Sequence, residues 1–240
     1  MATQFISDLH LHASRPEAAQ AFYRFLEQHA HNIDALYILG DFFDAWIGDD
    51  DDDPFIAEVA EKLNATAASG TAIFFMHGNR DFLLGDDFAR RAGLTLLQDP
   101  TLIDLYGRSA LLLHGDSLCT RDSEYMALRQ QLRSPQWQAQ ILSQPLDVRR
   151  ALAAELRSKS KTMNSSKAED IMDVTPQAVV ELMEQEKVSL MIHGHTHRPA
   201  RHPLTLNHGT GERIVLGDWH DYGWSLYADT DTLELRHWPI

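Results

Sequence analysis

One cysteine stands among 240 residues, Cys119, so an internal disulfide is excluded and a reducing compartment is the expected setting. No window approaches the apolar length that spans a bilayer, and the N-terminal stretch lacks the basic, apolar and small-residue succession of a secretory signal. The expected location is therefore cytoplasmic, with any membrane contact peripheral. Positive charge is also short: 21 Lys and Arg face 35 Asp and Glu, a formal net charge of −14. Nucleic-acid backbones are held chiefly by Lys and Arg, so this balance argues against a general nucleic-acid binder. Internal repeats and low-complexity tracts are missing as well, apart from an acidic run at 49–53 that is expected to be a solvated loop.

What is present is enough for one sizeable domain over 1–240, with 44% hydrophobic residues to fill its core. Apolar runs at 3–7, 35–39 and 71–76 have the character of strands. Helical spacing at 16–30 and 54–67 separates them. Such β-α-β-α-β alternation predicts a parallel sheet, with ligand sites at the carboxyl ends of its strands. Residues 103–105 and 109–113 predict a hairpin, 190–193 a return to the sheet, and 199–207, 213–216, 224–228 and 233–238 short strands completing a second sheet.

The alternation breaks between about 122 and 167, where Pro135 and Pro145 divide a helical stretch before a polar segment at 163–173 and a further helix at 176–186. This is expected to be an inserted helical lid. Residues 121–167 hold nine Lys/Arg against four Asp/Glu, a net of +5 that leaves −19 on the remainder. The excess suits an anionic substrate or membrane surface, and equally a solvated helical face.

Five of the predicted strands are followed by polar donors. Asp8-Leu9-His10, Gly40-Asp41-Phe42-Phe43-Asp44, Gly78-Asn79-Arg80-Asp81, His114-Gly115-Asp116 and Gly194-His195-Thr196-His197 occur in that order. A lone Asp-x-His is a common polar turn, but five such loops at successive strand ends point to a shared site. Carboxylate, amide oxygen and imidazole without thiolate suit Mn, Fe or Zn. A bridging carboxylate can hold two such ions about 3.5–4 Å apart, the arrangement that supports in-line displacement at phosphorus.

Together these motifs resemble the calcineurin-like metallophosphoesterase superfamily. The resemblance implies an α/β fold, a four-layer α/β/β/α sandwich with two metals at the sheet ends. It places Asp8, His10, Asp41 and His197 on one metal and Asp41, Asn79, His114 and His195 on the other, with Asp41 shared. His12, His77 and His193 lie beside the motifs and take no assigned role; Asp44 is expected to support the metal loop.

One position departs from the wider superfamily pattern, in which a histidine follows the Asn of the third motif. Here it is Arg80. A guanidinium stays charged and cannot serve as a general acid, but its planar fork fits phosphate. That predicts a substrate whose leaving group needs no proton, such as a pyrophosphate, with Arg80 stabilising charge at the attacked phosphorus.

Further segments, Ala45-Trp46-Ile47-Gly48-Asp49-Asp50, Asn164-Ser165-Ser166-Lys167 and Ile171-Met172-Asp173-Val174, resemble the lipid A pyrophosphohydrolase branch of the superfamily over nearly the whole chain. This closer resemblance implies cleavage of UDP-2,3-diacylglucosamine by a monomer holding two Mn ions at the cytoplasmic face of the inner membrane. It also implies substrate contacts at Asn79, Arg80, Asp122, Ser160, Asn164, Lys167 and His195. A relative acting on a soluble nucleotide is the competing expectation, and the apolar lid is the feature that separates the two.

Overall fold

The computed structural model describes residues 2–166 and 171–240, with 160–166 as backbone only. Its first half alternates β1 (Thr3–Ile6), α1 (Pro16–His29), β2 (Ala35–Leu39), α2 (Pro54–Ala68), β3 (Ala72–Met76), α3 (Asp86–Ala92) and β4 (Leu94–Leu97). Proline opens α1 and α2, where a missing N–H costs nothing, and the Asp53 side chain caps α2 by accepting from Phe55 N. The hairpin β5 (Thr101–Leu105) and β6 (Arg108–Leu113) then leads into α4 (Ser123–Leu132), α5 (Pro135–Leu142) and α6 (Leu146–Ser166). The chain ends through α7 (Pro176–Gln185), β7 (Leu190–His193), β8 (Ala200–Leu206), β9 (Gly209–Val215), β10 (Tyr222–Ala228) and β11 (Leu233–Pro239).

The strands form two sheets, ordered β11-β10-β1-β2-β3-β4 and β5-β6-β7-β9-β8. Strands β1 to β3 are parallel, as expected, β4 joins them in parallel as well, and Phe5, Tyr37 and Phe74 stack across the first three in register. The last four strands divide between the sheets, instead of all completing the second. Strand β10 pairs antiparallel with β1 and carries β11, whereas β8 and β9 extend the second sheet through β7.

Period-two alternation sends neighbouring side chains to opposite faces, and three buried clusters fill the gaps between four layers. Phe22, Phe25, Val59, Leu63 and Phe88 of α1 to α3 pack on Ile6, Ile38 and Phe75. Between the sheets lie Phe5, Leu39 and Met76 against Leu112, Ile192 and Ile214. Leu111, Leu113 and Met191 meet Val179 and Met183 of α7 on the far side. Each fully buried side chain of this size contributes roughly 1.5–3 kcal/mol, so the sheet ends are held rigidly. By contrast, α4 and α5 have no buried residue; their apolar side chains border a cavity.

The candidate metal centre

Leu39 and Met76 end their strands inside the core, and the next residues must turn at once to bring polar groups to the sheet edge. The backbone records that constraint. Asp8, His10, Asp41, His195 and His197 all adopt left-handed φ values between 48° and 68°, a region that side-chain-bearing residues seldom occupy. Gly78 allows the closest approach, because a Cβ there would lie 2.1 Å from Asp41 Oδ1. Asp81 locks the same corner by accepting N–H bonds from Phe42, Phe43 and Gly78 at 2.8, 3.4 and 2.8 Å.

Two groups of ligand-type atoms result, Asp8 with His10 and His197, and Asp41 with His114 and His195, the atoms of each lying within 4.8 Å of one another. His114 donates from Nδ1 to the Leu39 carbonyl at 2.8 Å, which turns the other ring nitrogen into the cleft. That Nε2 sits 3.0 Å from Asn79 Oδ1 and 3.7 Å from Asp41 Oδ1. In the first group, His10 Nε2 and His197 Nε2 are 3.3 Å apart, and Asp8 Oδ1 is buried with no hydrogen-bond partner among the described residues. Its other oxygen accepts from Ser7 Oγ at 2.6 Å and His195 N at 2.8 Å.

Lone pairs converge here with too few donors between them, an arrangement that calls for cations. The electrostatics of the ligand-type groups point the same way. Burial alone would discharge His114 and His197, but Asp41 and Asp8 lift His114 to about 9, and Asp8 lifts His197 to about 9. Burial pushes Asp41 up to about 7, while His10 and His195 fall to about 3 and 4, left neutral by desolvation. Each group thus keeps one proton-holding histidine where a dication would supply the charge. The donor set, the orphaned Asp8 oxygen and the buried acid fit two divalent ions.

The cleft beside these groups is lined by Asn79, Arg80, Asp122, Tyr125 and Arg198 as well as the histidines, and has a volume of about 280 Å³. Asn79, Arg80, Asp122 and Tyr125 also line the second cavity, about 420 Å³, whose other walls include Leu128, Leu132, Trp137, Ile141, Leu152 and Leu156 of α4 to α6. Arg80 stands at the junction. Its backbone N–H donates to Asp41 Oδ1 at 2.8 Å, and its side-chain Nε is buried without a hydrogen-bond partner among the described residues. The neighbouring acids are engaged elsewhere: Asp44 pairs with Arg157, and Asp81 serves the backbone. Asp122 caps α4 through Tyr125 N at 3.0 Å. Ser160, Asn164 and Lys167 lie outside the residues whose side chains are described.

His12 bonds to Ser14 and His77 to the Leu84 carbonyl, while buried His193 lies between Gly194 O and Arg213. Sequence reasoning passed over Asp218, 3.6 Å from His197 Nδ1 and placed to orient that ring. Its signal was Leu216-Gly217-Asp218, which repeats the pattern of Leu39-Gly40-Asp41. It also passed over a buried hub at Asp116, which accepts from Tyr125 Oη at 2.5 Å and Arg129 Nε at 2.8 Å. Tyr125 in turn stacks on His195 with ring centroids 6.0 Å apart.

Comparison with known proteins agrees with this geometry. The calcineurin-like phosphoesterase family matches residues 2–199. A UDP-2,3-diacylglucosamine hydrolase of Cellvibrio japonicus is 64% identical over the full length of both chains, and one of Pseudomonas aeruginosa is 53% identical, also over both full lengths. A solved archaeal phosphodiesterase shares the fold at a TM-score of 0.50 and 15% identity, covering all of both chains.

Proposed function

The chain belongs to the calcineurin-like phosphoesterase family, and from that premise we propose that it hydrolyses the pyrophosphate bond of UDP-2,3-diacylglucosamine in lipid A biosynthesis. Water attacks the α-phosphorus, the bond from that phosphorus to the bridging oxygen breaks, and the products are UMP and 2,3-diacylglucosamine 1-phosphate. The observation that carries this reading is the junction at Arg80, where a polar cleft bordered by metal-type ligands and an apolar cavity share four lining residues. A diacylated nucleotide has that same division of character.

Asp8, His10, Asp41 and His197 would hold one ion, and Asp41, Asn79, His114 and His195 the other, Mn being the metal we favour. When bound, the pair supplies Lewis acidity and a water of lowered pKa. Arg80 presents a permanent positive charge to the phosphates and donates no proton, which suits a departing phosphate ester. Asn79, Asp122 and His195 border the same phosphates, with Ser160, Asn164 and Lys167 expected to complete the sugar-phosphate contacts. Helices α4 to α6 act as a lid, and the acyl chains occupy the cavity walled by Trp137, Ile141, Leu152 and Leu156.

No helix among the described residues is long and apolar enough to cross a membrane. We take the protein to be a monomer that meets its substrate peripherally at the inner membrane, with exposed Leu142 and Val148 of the lid nearest the bilayer. Metal-dependent UMP release tests the assignment. Release from UDP-2,3-diacylglucosamine should greatly exceed that from UDP-glucose; equal rates would favour the soluble-nucleotide reading.

A further inference from the structure

Three arginines of α6 are each paired with carboxylates of one core segment, 44–52. Arg149, only 4% exposed, donates Nη1 to the Ile47 carbonyl at 2.7 Å and grips Asp50 with both Nη atoms, at 2.7 and 2.5 Å. Arg150 reaches Asp51 and Asp52 at 2.7 and 2.5 Å, and Arg157 pairs with Asp44. The segment is anchored to the core from its other side. Asp49 accepts from Gly85 N at 2.9 Å, from Asp87 N and Phe88 N at 3.0 and 2.9 Å, and from the Trp46 indole at 3.1 Å. Gly48, at φ 134°, leaves room for the guanidinium, since a Cβ there would lie 2.3 Å from Arg149 Nη1.

Burial decides which of these pairs matters. Arg150 and Asp52 are solvent-exposed, where screening leaves an ion pair worth little. Arg149 is a buried cation whose two Nη atoms meet one carboxylate and one carbonyl while its Nε has no partner among the described residues; Asp50 is itself 64% exposed, but losing it leaves the buried guanidinium without its counter-charge. Leu152 and Leu156 follow at three and seven residues, spacings that place them on the same face of α6 as Arg149, and all three line the apolar cavity. Neither Asp50 nor Arg149 lines the metal cleft.

We propose that the Asp50–Arg149 pair is a specificity-determining joint: it fixes how far α6 stands from the core, and thereby the room available to the acyl chains, without acting on the phosphates. The inference rests on the lipid-substrate reading above. Asp50 is a positioning residue, acting through Arg149, which borders the cavity beside Leu152 and Leu156.

The test compares Asp50→Ala, Arg149→Met and the double variant on UDP-2,3-diacylglucosamine carrying long acyl chains and on the same compound with short ones. Each single substitution should raise KM for the long-chain substrate about tenfold, corresponding to a moderate pair coupling. The double variant should be no worse than the worse single. The kcat/KM for the short-chain substrate should stay at the unmodified level in Asp50→Ala, and metal content in all three variants, which also shows that they fold. An unchanged long-chain KM in both single variants, additive losses in the double, or equal losses on the two substrates would each overturn the joint. If the unmodified protein cleaves the short-chain compound and ignores the long-chain one, the lipid-substrate reading itself fails.

Discussion

At Asp81 one buried carboxylate satisfies three backbone N–H groups that would otherwise be stranded beside the metal loops. Leaving such donors without a partner costs roughly 1–3 kcal/mol each, so Asp81→Ala should lower unfolding free energy by about 3 kcal/mol in a urea titration. A loss below about 1 kcal/mol would mean that water replaces the carboxylate. Asp41 and Arg80 separate differently. Asp41→Ala should lose both turnover and metal, whereas Arg80→Ala should keep its metal complement and slow hydrolysis by about 10²–10³-fold. Metal analysis beside kinetics distinguishes them. At this scale the sequence was informative wherever an ordered series of strand-end motifs existed. It was silent where a residue's partner comes from a distant segment: nothing local to Asp44 signals Arg157, and nothing local to Asp116 signals Arg129.

Among the elements, the first three strands and two helices were legible because apolar period and proline placement agreed. Helix α3 and strand β4 went unseen, although Asp86-Asp87, Arg90-Arg91 and Gly93 at φ 68° are helix-end signals, because seven residues are too few for a periodic pattern. Strands β8 to β11 were visible as strands, but their partition between sheets depends on pairing with β1 and β7, which local pattern does not encode. Helix α6 runs to Ser166, into a segment whose polarity suggested a loop. The acidic run 49–53 proved to be no mere solvated loop: it caps α2 and α3 and holds α6. The cavity wall gives the prediction proper to this scale. Leu152→Trp fills acyl space, so cleavage of the long-chain substrate should fall at least tenfold while that of a short-chain analogue stays within twofold, by order-of-magnitude pocket energetics. Equal effects on both would place the chains elsewhere.

For the molecule as a whole, the split between a −19 body and a +5 insertion acquires a physical meaning. Arg129, Arg149, Arg150 and Arg157 face Asp116, Asp50, Asp51 and Asp44 of the body, so much of the excess positive charge is paired with the body's carboxylates and docks the helices, although Arg150 and Arg157 stay part-exposed. Metal binding should add stability over the whole fold, because the candidate ligands come from five loops separated by nearly 190 residues. At a hundredfold excess over the dissociation constant one ion contributes about 2.7 kcal/mol. Chelation should therefore lower Tm by at least about 5 °C at this chain length, as read by calorimetry. An unchanged Tm would contradict a metal centre built from these residues.

The central claim concerns which phosphorus is attacked, and isotopic labelling reads it directly. The purified protein, supplied with Mn, is given UDP-2,3-diacylglucosamine in water enriched in heavy oxygen, and the products are weighed by mass spectrometry. The account predicts one labelled oxygen in UMP and none in 2,3-diacylglucosamine 1-phosphate. Label in the lipid phosphate, or no cleavage at all, would contradict it.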